Sequence, residues 1–241
     1  MAVGFAGFRP RDFALARYNP NGTLDASFSG DGTQTTNFRR FDGVTGVAVQ
    51  ANGRIVAIGG TFDGVDDRDF ALARYNANGT LDVSFSGDGK QTTGFGGNAE
   101  AYAVALQANS KIVATGLAPG TGGGNFALAR YNTNGTLDVS FSGDGKQTTN
   151  FVGFDFANGV SIQGDGKIVA AGRTGGANFA LARYNPNGSL DASFSGDGRR
   201  TTDFGGLDQA YGVALTQHGK IVAAGAGGGN FDFALARYLG T

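Results

Sequence analysis

An all-β chain of stacked four-stranded antiparallel sheets is predicted by three observations. Five copies of Phe-Ala-Leu-Ala-Arg-Tyr begin at Phe13, Phe70, Phe126, Phe179 and Phe233, at spacings of 57, 56, 53 and 54 residues. All but the last continue into Asn-x-Asn-Gly-(Thr/Ser)-Leu-Asp-(Ala/Val)-Ser-Phe-Ser-Gly-Asp-Gly, and Gly79 to Thr93 is identical to Gly135 to Thr149. The 44 glycines among 241 residues demand many turns, while 40% apolar content supports a core. A period of about 55 residues holding four short strands is that of a β-propeller blade, kelch-like in length. β-Solenoid coils, the competing architecture, repeat more tightly.

The elements follow in order within one repeat. Tyr102 to Gln107 and Lys111 to Thr115 read as extended segments joined by Asn109-Ser110. The sibling positions hold Asn52-Gly53, Asp165-Gly166 and His218-Gly219, which predicts tight hairpins with positive φ at glycine and asparagine. A glycine-rich loop of variable length leads to the third strand, Phe126 to Tyr131. Asn-Gly at 78-79, 134-135 and 187-188 then turns the chain toward a fourth, Lys146 to Phe151 in this copy. Alternation along the third strand sends Phe126, Leu128 and Arg130 to one face and Ala127, Ala129 and Tyr131 to the other. One face is bulky and the other largely small. The first strands (Val47 to Gln50 and its equivalents) and the second (Ile55-Val56-Ala57 and its equivalents) mix small and β-branched residues, as sheets covered on both faces require.

The run FALARYNxNGTLDxSFSGDGxxTT followed by (A/G)VAxQxxGKIVAAG resembles the bacterial delta-60 repeat, a β-propeller repeat family of unknown function, over essentially the whole chain. Departures are local: Ser110 replaces a glycine, and Leu239 stands where Asn-x-Asn-Gly would begin. The resemblance implies a propeller, often within larger secreted or cell-surface bacterial proteins. It supplies no catalytic residues.

A single propeller domain spanning 1–241 is expected, with repeat units at about 13–69, 70–125, 126–178 and 179–232 and a partial unit at 233–241. First and fourth strands occur four times, second and third strands five times. Five blades, the first and last incomplete, fit that count. Four blades would leave a hairpin free to swap, and an open fragment of a larger ring would associate to close it. The excess strands suit an excised or engineered piece, and near-identical copies suit recent duplication or design.

Recurrence gives the polar residues a structural reading first. Arg17, Arg74, Arg130, Arg183 and Arg237 share the bulky face, so each is expected to pair with a carboxylate at a blade junction. Asp25, Asp82, Asp138 and Asp191 are the candidates, with Asp31, Asp88, Asp144 and Asp197 as the alternative set. The Ser-Gly-Asp-Gly turn resembles Asp-box hairpins, in which the aspartate ties up turn amides. The Thr-Thr pairs at 35-36, 92-93, 148-149 and 201-202 read as strand residues.

Non-repeated loops are where a distinct function would sit. Asp63, Asp66, Asp67 and Asp69 crowd one loop and read first as a solvated acidic loop; the alternative is oxygen ligands for calcium, although the spacing lacks an EF-hand glutamate. The glycine-rich loops carry no phosphate-binding Gly-x-x-x-x-Gly-Lys-Ser/Thr run. His218, the only histidine, sits at a hairpin turn, and Glu100 is the sole glutamate. No non-repeated catalytic cluster emerges, so no enzyme is expected.

A net charge of -1 with 16% charged residues gives no basic stripe, so nucleic acid is not an expected partner. Zero cysteines exclude disulfides, thiol catalysis and cysteine-bound metals. No segment reaches the roughly 20 apolar residues of a membrane span. Met1 to Phe8 lacks a signal-peptide pattern, which leaves a cytosolic protein or a removed leader. The expected function is a scaffold for a protein partner or for self-association. The alternative is a multivalent lectin, whose glycan platforms would be Tyr18, Tyr75, Tyr131, Tyr184 and Tyr238 if exposed.

Overall fold

The computed structural model describes residues 1–7, 10–65 and 67–240, and all regular structure among them is β-strand. The chain divides into two compact units, Met1–Ala101 with Asn132–Thr136, and Tyr102–Tyr131 with Leu137–Thr241.

The first unit holds two sheets. β1 (Ala2–Ala6), β2 (Asp12–Ala16) and β3 (Thr33–Thr36) form a three-stranded one, and β4 (Phe41–Val49), β5 (Ile55–Phe62), β6 (Asp69–Tyr75) and β7 (Lys90–Thr93) a four-stranded one. The second unit holds three. They are β8 (Glu100–Leu106, in this unit from Tyr102) to β11, with β9 (Ile112–Ala118), β10 (Asn125–Tyr131) and β11 (Lys146–Thr149); β12 (Phe156–Ile162), β13 (Ile168–Arg173), β14 (Phe179–Tyr184) and β15 (Arg199–Thr202); and β16 (Gln209–Leu215), β17 (Ile221–Gly227) and β18 (Asp232–Tyr238). Strands follow sequence order across every sheet. Five sheets therefore form rather than four; the first begins at a second strand and the last ends at a third.

The hexapeptide is the third strand of each sheet, flanked on both sides except in the last. Phe70 faces Gly60 and Thr93, and Leu72 faces Ile58 and Gln91. Within each unit the bulky face of one sheet packs on the small face of the next. Phe13 and Leu15 join Ile55, Ala57, Ala71, Ala73 and Tyr75 in one apolar cluster. Phe126 and Leu128 do the same with Ile168, Ala170, Ala180, Ala182 and Tyr184, and Phe179 and Leu181 with Ile221, Ala223 and Ala234. Small residues on the receiving face let two sheets approach while the larger face fills the gap.

Two sequence expectations are corrected in detail. The first strands start earlier than the Val47–Gln50 type of boundary, because a β-bulge between Val44 and Gly46, Ala157 and Gly159, and Ala210 and Gly212 interrupts their alternation. The strand partners there are Gly59, Gly172 and Gly225, where a Cβ would lie 1.9 Å from a carbonyl oxygen of the bulged strand. The hairpin turns also differ, since only the second residue of each pair is left-handed: Gly53 (φ 81°), Ser110 (φ 64°), Gly166 (φ 85°) and Gly219 (φ 73°). Asn52 instead caps the turn with its side chain, which accepts from the Arg54 amide, while Gly53 N–H donates to the Gln50 carbonyl.

Candidate functional site

The repeated arginines build one construction several times over. Arg74 leaves β6 on the bulky face, and its Nε donates to Asp82 Oδ2 at 2.8 Å. Its Nη2 donates to Ser84 Oγ at 3.1 Å, its Nη1 to the Thr133 carbonyl, and its guanidinium lies 4.7 Å from the centre of the Phe85 ring. Arg130 pairs with Asp138 at 2.7 Å, reaches Ser140 and the Pro186 carbonyl, and covers Phe141. Arg183 pairs with Asp191 at 2.7 Å and reaches Ser193, the Gly240 carbonyl and Phe194. Arg17 repeats the pattern with Asp25, Ser27, the Ala77 carbonyl and Phe28, in a more exposed setting. The carbonyl reached is always two residues past the tyrosine of the next hexapeptide. Arg237 is exposed, and no aspartate follows it in the sequence.

Each inner aspartate holds a second cation: Arg54 on Asp82 at 3.1 Å, Lys111 on Asp138 at 2.7 Å and Lys167 on Asp191 at 3.1 Å. Burial raises the Asp191 carboxyl, but hydrogen bonds from Ser193 and Lys167 and the charge of Arg183 outweigh it and push it down to about 2. Asp82 and Asp138 are lowered by the same balance. Desolvation also lowers Arg74, against the pull of Asp82. These carboxylates are ionised, saturated and ill suited to proton transfer.

The alternative set lies elsewhere. Asp31, Asp88, Asp144 and Asp197 accept from the amides of Thr33, Lys90, Lys146 and Arg199, closing their own turns. The second threonines are more than strand filler: Tyr75 donates to Thr36 and Tyr184 to Thr149, both at 2.8 Å, and Thr202 meets Tyr238 at 2.7 Å. Tyr75, Tyr131 and Tyr184 are fully buried. Burial pushes the Tyr75 phenol up to about 12 and raises Tyr184 and Tyr238 as well.

In the acidic loop, Arg39 reaches Asp69 at 3.2 Å and Asp63 at 4.0 Å, and Asp63 also accepts from the Val65 amide. Burial raises the Asp69 carboxyl against the Arg39 charge. Asp67 is exposed, and Asp66 lies outside the described residues. Among the described residues no three His, Cys, Asp or Glu side chains are grouped to hold a metal ion. His218 is an exposed turn residue.

Sequence reasoning missed the buried aspartates Asp42, Asp155 and Asp208. Each opens or precedes a first strand and ties a loop: Asp42 accepts from Phe38 N–H and Thr61 Oγ1, Asp155 from the Phe151 and Gly175 amides, and Asp208 from the Phe204 and Gly228 amides. Their recurrence was the available signal; Ala99 at the fourth equivalent position blurs it. Asp42 also lines a non-repeated cavity of about 300 Å³ in the first unit, with Phe5, Arg11, Phe41, Phe62, Arg68 and Glu100. There Arg68 binds Glu100 at 3.1 Å, and Arg11 lies over the Phe5 ring at 4.6 Å. Both carboxylates of this cavity are therefore engaged.

A family profile described as a domain of unknown function, DUF5122 beta-propeller, matches residues 8–28, 50–85, 107–141 and 163–194, slightly more than half of the chain. The chain belongs to this β-propeller family. The matched segments run from the hexapeptides through the aspartate-serine turns, and in three repeats from the preceding hairpin turn as well, so the family pattern includes the arginine construction. Among solved structures, a protein of unknown function from Bacteroides caccae is similar at a TM-score of 0.55 and 10% identity, over 98% of this chain and 70% of that one. A gluconolactonase from Xanthomonas campestris aligns at a TM-score of 0.49 and 15% identity, over 97% and 69% of the two chains. A putative gluconolactonase aligns at 0.47 and 14%, over 95% and 70%. The first likeness concerns fold alone, and the scores of the other two carry no argument about activity. No curated protein matches the sequence.

Proposed function

We propose that the chain is a non-catalytic repeat scaffold that holds protein partners, further copies of itself among them. One observation carries this reading: the recurring charged residues are engaged in joining one repeat to the next. Arg183, wholly buried, is bound at once to Asp191, Ser193 and a carbonyl of the following repeat. Recurrence thus serves architecture, and the surface left for recognition is that of the loops that differ between repeats. The likeness of the repeat to the bacterial delta-60 motif supports a secreted or cell-surface location.

A lectin would need equivalent aromatic platforms open to sugar rings. Burial of Tyr75, Tyr131 and Tyr184 weighs against that alternative. The test is a broad glycan array probed with and without calcium. A blank array on folded protein is expected. A reproducible hit to one sugar class overturns the scaffold reading.

A further inference from the structure

The non-repeated cavity of the first unit is opened by a pair of glycines. Gly43 on β4 faces Gly60 on β5, at the register where later sheets place Phe156 opposite Arg173 and Gln209 opposite Ala226. Neither glycine has a positive φ, so no turn calls for glycine at either position. A Cβ on Gly43 would meet nothing within 4 Å, and one on Gly60 would first meet the Glu100 side chain, at 3.0 Å. Open space, not backbone conformation, sets this pair apart from its counterparts.

The side chains around that space depart from the repeat as well. Phe62 stands where the sheets of the second unit carry Pro119, Gly175 and Gly228, and it stacks on Phe41 with ring centres 6.0 Å apart and planes 27° apart. Arg68 lies 5.8 Å from the centre of the Phe62 ring, and Arg40 lies 5.4 Å from that of Phe41. The two carboxylates of the cavity are spent: Asp42, 2% exposed, accepts from the Phe38 and Arg39 amides and from Thr61, and Glu100 is held by Arg68. Arg11 is not. Its guanidinium rests on the Phe5 ring, and its donors meet no acceptor among the described residues.

We propose that this cavity binds a small carboxylate carried on a flat apolar group, with the acid forked by Arg11 and the apolar part laid against Phe41 and Phe62. A guanidinium presents two parallel donors to a carboxylate, and aromatic walls favour a ring in offset or edge contact. The volume of about 300 Å³ admits one aromatic acid or one terminal residue of a chain, not a folded surface. The C-terminal aromatic residue of a partner protein and a free aryl acid present this same chemistry. The inference goes beyond the scaffold reading and does not rest on it.

Calorimetric titration of the full chain with N-acetyl-phenylalanine, its neutral amide and 3-phenylpropanoate tests this. Both acids are expected to bind, and the amide about tenfold or more weakly, because the charge-assisted hydrogen bonds are lost. Arg11→Ala, at an exposed position, should weaken the acids to the level of the amide. Gly43→Phe, which installs the residue that Phe156 supplies in its own sheet, should abolish binding of all three; circular dichroism checks that both variants fold, and Arg11→Ala decides if Gly43→Phe does not. Tighter binding of N-acetyl-phenylalanine supports the proposal with a chain terminus as ligand, and tighter binding of 3-phenylpropanoate supports it with a free acid. No binding of either acid up to millimolar concentration overturns it. So does equal binding of acid and amide, or acid binding that survives in the folded variants. None of these failures touches the scaffold reading, which the glycan array judges separately.

Discussion

Arg183 and Asp191 stand 2.7 Å apart, eight residues apart in sequence, with the arginine side chain completely removed from solvent and the aspartate 7% exposed. Both are charged, and burial strips each of most of its hydration. What compensates them is saturation: Ser193 and Lys167 complete the aspartate, and Ser193, the Gly240 carbonyl and the Phe194 ring complete the arginine.

Removing one partner should therefore be costly. Asp191→Ala strands a buried guanidinium and is expected to lower stability by about 3 to 5 kcal/mol. Asp25→Ala, at a junction whose Arg17 and Asp25 side chains are each 23% exposed, should lose clearly less. Urea unfolding of the two variants beside the parent checks the order; equal losses would show that burial does not set the contribution.

Acid should act through the same carboxylates. A group whose folded value lies below its unfolded one contributes stability that is complete above the unfolded value and disappears as pH falls through the folded value. For Asp191 the window runs from the ordinary aspartate value, about 3.9, down to about 2. The urea midpoint is expected to hold from neutrality to near the upper limit and then drop. Asp191→Asn should flatten part of that drop.

Base acts with the opposite sign. Tyr75 is raised to about 12, so the stability from its buried neutral phenol is complete below the unfolded tyrosine value, about 10, and lost as pH climbs through about 12. Absorbance titration at the phenolate band should show Tyr75, Tyr184 and Tyr238 ionising late, together with unfolding. Tyr75→Phe removes the donor to Thr36 and is expected to cost about 1 kcal/mol at neutral pH.

Backbone crowding separates two glycines of similar appearance. A Cβ on Gly172 would stand 1.9 Å from the Phe156 carbonyl oxygen, whereas one on Gly43 meets nothing within 4 Å. Gly172→Ala is expected to cost about 3 kcal/mol or more, or to prevent folding. Gly43→Ala should leave the thermal midpoint nearly unchanged.

Much of this was readable from residues alone. The hexapeptide announced a third strand with unlike faces, and each Asn-Gly announced the turn after it, because alternation and left-handed φ are local properties. Asp42, Asp155 and Asp208 were not read, since one partner of each lies on a separate segment, about 20 residues on, and one repeat carries Ala99 instead. The bulges escaped for a similar reason: an extra residue shows only against the strand opposite it.

By itself the sequence determined the strand order, the five-fold recurrence and which side chains share a face, since these follow from periodicity within short stretches. Only the tertiary structure decided which aspartate each arginine holds, since Asp82 and Asp88 are both near Arg74 along the chain and only packing brings Asp82 to its guanidinium. It also decided that Tyr75 is buried while Tyr18 is open, and that Phe233 is uncovered while Phe179 is wholly covered. Identical hexapeptides acquire different exposures because burial belongs to the neighbouring sheet and not to the hexapeptide itself.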